Sequence, residues 1–295
     1  MAFADQLDVF YGRVSQHSAQ IYVRIGVLAG GGEWSIVGQV RGPIVRGVRT
    51  LPTTVSLTDL GPGPTLLATC AIPDPSFWTL QSPGTYEVSI QLTRDGEVAE
   101  SIVRSLGIRF FGASECCFFW EGRRWVLRGV STSMIDPQEI DDFVDNAGAI
   151  VASDPSDELL DRASDAGVMF IAELSTGNVL NTLRSIVRRP AVAIAVLPDG
   201  TYVDSGLRSA APNVLLAQRI DPQKMSDIAG WAQVIFCDAN DVEAFGNVAR
   251  SSTLPVVAWR QLKGSYTLVE ARRECDILQR DLAPEGDFAG YVVQI

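Results

Sequence analysis

Five apolar runs in this chain end at or beside a carboxylate: Asp154 after AIVAS, Glu173 in VMFIAELS, Asp199 in AVAIAVLPDG, Asp221 after LLAQRI and Asp238 in VIFCDAN. A sixth run, LPVVAWRQ, closes on Trp259 and Arg260. Two carboxyl groups held close together can divide the work of hydrolysis, one staying protonated and the other ionised. An indole offers a flat face for stacking. A guanidinium keeps its charge and takes a carboxylate by two parallel hydrogen bonds. Glu173 and Asp199 are therefore candidates either for ligand contact or for a structural ion pair. The obvious cation is Arg260, expected at the mouth of the fold in a pair with one of them. Asp154-Pro155, Asp221-Pro222 and Asp238 fit a plainer task, capping the helix that follows.

Other chemistries have little support. The one histidine, His17, sits among polar residues in QHSAQ. Cys70, Cys116, Cys117, Cys237 and Cys275 lack metal-type spacing and read as reduced thiols. No metal and no cofactor is expected. The glycines at Gly30 to Gly32 join two strand-like runs and open no helix, so they do not make a phosphate cradle. A net charge of −11 argues against a nucleic-acid or anionic-membrane partner. No apolar run approaches the ~18–20 residues of a membrane span. The N-terminal MAFADQLDVFYGRV lacks a basic segment followed by an apolar one, so a cytoplasmic location is expected.

The elements that must position these residues change character along the chain. From residue 8 to about 127 the pattern alternates and is rich in turns: LDVFYGRV, AQIYVRIGVL, EWSIVGQVRG, TTVSLTDL, TLLATCAIP, GTYEVSIQL and ESIVRSLGIRFF are separated by GGG, GPGP, SPG and DG. This predicts an immunoglobulin-like β-sandwich over residues 1–114. CCFFW and RRWVL flank Glu121-Gly122, which predicts a hairpin over 116–127. Beyond it, eight short apolar runs alternate with helix-like segments, the signature of parallel strands with right-handed crossovers. The prediction for residues 115–295 is a (β/α)8 barrel, compact beside the ~250 residues typical of that fold.

PDPSFWTLQSPGTYEVSIQL, then GIRFF, CFFWEGRRWVLRGV and the barrel pattern together resemble the family 2 glycoside hydrolases. LLDRASDAGVMFIAEL and SIVRRPAVAIAVLPDG resemble that family's second helix with third strand and its third helix with fourth strand. The resemblance implies a sandwich followed by a TIM-like barrel, with carbohydrate as the ligand class. It also implies a degenerate active site. The family's acid/base glutamate and the asparagine before it fall on Gly200 and Asp199, and its nucleophile falls on Arg260. The asparagine and histidine after the first barrel strand become Ser131 and Ser133, and the second strand, AIVASDP, lacks the family's arginine and histidine. Glu173 alone matches a family carboxylate. Retaining hydrolysis of a glycoside needs two carboxyl groups ~5–5.5 Å apart, which glycine and arginine cannot supply.

The function expected from the residues and the resemblance together is a non-catalytic carbohydrate-binding or interaction module, with Glu173, Asp199, Trp259 and Arg260 as the ligand-contacting set. The alternatives are an atypical glycosidase that uses Glu173 and Asp199 as relocated carboxylates, and a structural subunit of an assembly. A homo-oligomer or a protein partner fits the last of these.

Overall fold

A computed structural model describes residues 6–26, 31–133, 135–146, 148–223 and 228–295. Chain contacts divide it into two compact units, one running up to Arg109 and including Arg188–Pro190, the other formed by Phe110–Val187 and Ala191–Ile295.

The first unit is a sandwich of two antiparallel four-stranded sheets. One holds β1 (Leu7–Ser15), β2 (Ser18–Ile25), β6 (Leu66–Pro73) and β5 (Thr58–Asp59) in that order. The other holds β4 (Thr53–Ser56), β3 (Trp34–Ile44), β7 (Thr85–Arg94) and β8 (Glu97–Leu106). Period-two alternation builds the core. Along β2, Ala19, Ile21, Val23 and Ile25 are buried, and along β7 Tyr86, Val88, Ile90 and Leu92 are buried. Each full burial of an Ile, Leu or Val side chain contributes roughly 1.5–3 kcal/mol. TTVSLTDL, which alternates as one strand, is split in the structure. Thr53–Ser56 pairs with β3 and Thr58–Asp59 pairs with β6, so the chain changes sheets at Leu57. ESIVRSLGIRFF divides as well, because β8 ends at Leu106 and the aromatic pair starts a different sheet.

The second unit opens with a three-stranded meander of β9 (Phe111–Ser114), β10 (Cys117–Trp120) and β11 (Arg123–Trp125). Glu121 and Gly122 both take positive φ, 50° and 76°, which is the backbone of the two-residue hairpin turn the sequence predicts. Phe111, Trp120 and Trp125 pack their rings together, with centroids 5.3–5.9 Å apart.

Eight parallel strands then close into a barrel: β12 (Leu127–Ser131), β13 (Ala149–Ser153), β14 (Met169–Glu173), β15 (Val192–Leu197), β16 (Leu215–Ile220), β17 (Val234–Asp238), β18 (Val256–Gln261) and β19 (Gly290–Gln294). β19 pairs with both β18 and β12, which completes the ring. Strands such as VAIAVL in β15 are buried at every position, as expected where helices cover the outside.

The helices are α1 (Glu139–Phe143), α2 (Asp157–Ala166), α3 (Val179–Ile186), α4 (Ser205–Ala210), α5 (Val242–Ser251) and α6 (Leu268–Leu282). Their starts follow side-chain chemistry. Ser156, Asn178, Asp204, Asp241 and Thr267 each accept a hydrogen bond from the backbone N–H three residues on. Thr267 and Glu270 form a reciprocal capping box on α6. α4 is only six residues long, as the short Gly200–Ala211 crossover requires. The helix expected from DPQKMSDIAGW falls partly outside the described residues, and its described parts, 221–223 and 228–231, are turns and irregular chain. No helix among the described residues is long and apolar enough to cross a membrane.

Candidate functional site

The C-terminal ends of the barrel strands carry the candidate residues, the face on which barrel enzymes build their sites. Glu173 is the last residue of β14 and lies in register with Ser153 of β13. Its carboxylate is already engaged. The Arg219 Nη1 from β16 donates to Glu173 Oε1 at 3.2 Å, and the Ser153 hydroxyl donates to Oε2 at 3.3 Å. The Arg219 guanidinium also lies over the Trp259 ring, 4.2 Å from its centroid. Trp259 meets Phe236 edge to face at 6.0 Å, and its indole N–H donates to Gln294 Oε1 at 3.1 Å. Side chains from β13, β14, β16, β17, β18 and β19 therefore form one connected cluster at this end of the barrel. Trp259 is 1% exposed. A ligand that stacked on it would first have to displace Arg219.

Arg260 corrects an expectation. It pairs with Asp281 of α6, Nη1 to Oδ2 at 2.8 Å, and with neither Glu173 nor Asp199. The reason is strand parity. Because Trp259 sits among residues of the other barrel strands, its neighbour Arg260 must face the helix layer outside. The same alternation puts Arg128 of β12 against Asp276 and Gln279 of α6. The cation beside Glu173 is Arg219, which nothing in the local sequence singles out.

Asp199 lies beyond the end of β15, exposed, and makes no hydrogen bond or ion pair among the described residues. Of the three aspartates read as helix caps, Asp154 and Asp238 hold loops instead, and the segment Asp221 was expected to cap lies partly outside the described residues. Asp154 accepts from the Ser175 N–H at 3.0 Å, Asp221 from the Gln223 N–H at 3.0 Å, and Asp238 from the Asn240 N–H at 2.8 Å. The caps of α2 and α5 are the nearby Ser156 and Asp241. Among the described residues, no group of three or more His, Cys, Asp or Glu side chains is placed to hold a metal ion. His17 is at the surface, 3.6 Å from Asp74.

Comparison with solved structures gives these positions a frame. A family 2 glycosyl hydrolase from Bacteroides cellulosilyticus superposes with a TM-score of 0.67 at 13% identity, covering 98% of this chain and 43% of that one. The fold is that of the family 2 glycoside hydrolases. An FMN-binding β-glucuronidase from Faecalibacterium prausnitzii superposes at 0.68 with 12% identity, covering 98% of this chain and 55% of that one. A Bacteroides uniformis β-glucuronidase gives 0.65 at 14%, covering 98% and 45%. The chain thus spans about half the length of the structures it matches. No protein-family model matches the sequence, and no curated protein matches it. At such identities the family 2 likeness extends to the fold alone.

Within that fold, the candidate site is an arginine held between one carboxylate and one aromatic face. Of the sequence candidates, Glu173 ends β14, and Trp259 and Arg260 lie in the last three residues of β18. Only the first two belong to the same cluster, and Arg219, Ser153 and Gln294 complete it.

Proposed function

We propose that this protein is a catalytically degenerate member of the family 2 glycosidase fold that works as a carbohydrate-binding or interaction module. The observation that carries this reading is the occupancy of Glu173 by Arg219. A retaining glycosidase sets its second carboxyl group ~5–5.5 Å from the first. Here the nearest charged neighbour of Glu173 is a permanent cation, which would oppose the positive charge that develops on the sugar in the transition state. The relocated pair, Glu173 with Asp199, is disfavoured on the same ground: one member is neutralised and the other lies free beyond its strand. A panel of aryl-glycosides tests the proposal. The expected result is no turnover above background, together with saturable binding to an immobilised glycan or to a protein partner. Turnover that disappears in Glu173→Gln would overturn it.

A further inference from the structure

The outward face of the sheet formed by β4, β3, β7 and β8 carries an inference independent of the barrel, and it lies wholly within the first unit. Cross-strand register builds two adjoining rungs on this face. Ser56, Gln39, Ser89 and Val103 stand in line across four strands, and Val37, Gln91 and Ser101 across three. Together they line an open groove of about 410 Å³, a size typical of small-molecule sites. None of the lining residues is charged, although one residue in five of the chain is. Charge begins one rung further along, where Arg41 stands opposite Glu87. Val37 and Val103 are 54% and 58% exposed. The five serine and glutamine side chains have no hydrogen-bond partner among the described residues.

We infer that this groove binds a neutral oligosaccharide. Each possible occupant makes a different demand on the face. A peptide strand needs free backbone N–H and C=O groups, and β3 and β7 commit theirs to ladders on both sides. A second sheet packed face to face needs interdigitating apolar side chains, but here five polar side chains stand beside two exposed valines. An ionic ligand needs a counter-charge, and the lining has none. A neutral sugar needs what is present. Hydroxyl and carboxamide groups both donate and accept, as sugar hydroxyls do, and the strands repeat them at about 4.8 Å. Val37 and Val103 give apolar contact to the C–H faces of the sugar rings.

The test is isothermal titration of the full chain with cellohexaose, xylohexaose and mannohexaose, and with an oligogalacturonate of the same length. At least one neutral hexasaccharide should bind saturably and with little dependence on salt, and the acidic one should not. Gln39→Ala and Gln91→Ala, at exposed positions that leave the core untouched, should each weaken binding between about twofold and tenfold. Gln91→Glu keeps the shape, loses the amide donors and should weaken it too. Circular dichroism checks that each variant folds. The inference is overturned if no neutral hexasaccharide binds. It is also overturned if binding survives every glutamine variant, a result that would put sugar recognition elsewhere and leave the reading of the barrel standing. Sedimentation velocity covers a further outcome: a wild-type dimer broken by these variants would show that a second copy fills the groove instead of a glycan.

Discussion

Arg219 covers the face of Trp259 that a ligand would otherwise use, its guanidinium 4.2 Å from the ring centroid. The same side chain neutralises Glu173, so truncation removes two contacts at once. Arg219→Ala should destabilise the fold by about 1–2 kcal/mol, combining a partly exposed ion pair with a cation–π contact. Chemical denaturation reads that loss. The Trp259 indole N–H resonance should shift in the variant, and an unmoved resonance would show that Arg219 does not sit on the ring.

Arg260 and Asp281 form a pair on the outer side of the barrel, with the arginine side chain 22% exposed and the aspartate 39%. Arg260→Ala should therefore cost no more than about 1 kcal/mol. It should leave any glycan binding unchanged, because the side chain faces the helix layer. A loss of binding without a loss of stability would return Arg260 to the site.

The thiols give a pH-dependent prediction. Burial pushes Cys70 and Cys275 up to about 11, and burial together with the neighbouring Asp238 and Asp221 pushes Cys237 up to about 12. Native-state alkylation near neutral pH should modify the exposed Cys116 first and the half-buried Cys117 more slowly. The other three should react only after unfolding. The folded-state values lie above the ordinary thiol value, so these groups favour the fold while protonated. That contribution should be lost as pH rises from about 9 towards 11–12. Denaturant midpoints measured across that range check the slope; a flat profile would show that the thiols are not desolvated.

All eight barrel strands were legible in the sequence, most of them as short apolar runs, because strands covered on both faces carry few polar residues. The hairpin turn was legible because Glu121-Gly122 sits between two apolar segments. The site was less so. Which of Trp259 and Arg260 faces inward depends on strand parity, and apolar runs such as VVAW give no alternation from which to read it. Arg219, in APNVLLAQRI, ends its strand much as Arg260 does. Only the register of β16 against its neighbours brings it to Glu173, and register is set by the closed ring rather than by local sequence. Asp154 and Asp238 stand too far ahead of their helices to reach the first turn, so the caps fall on Ser156 and Asp241.

The closing strand imposes an order of events on folding. Leu127 of β12 pairs with Gly290 of β19, so the two strands that seal the ring stand at opposite ends of the barrel sequence. A nascent chain would hold β12 with the backbone N–H and C=O groups of one edge unpaired until β19 had been made. Loop-closure entropy for so distant a contact rises only slowly with length, but the wait exposes sticky strand edges. Until Gly290 has been made, that open edge is where a foreign strand can pair with this barrel.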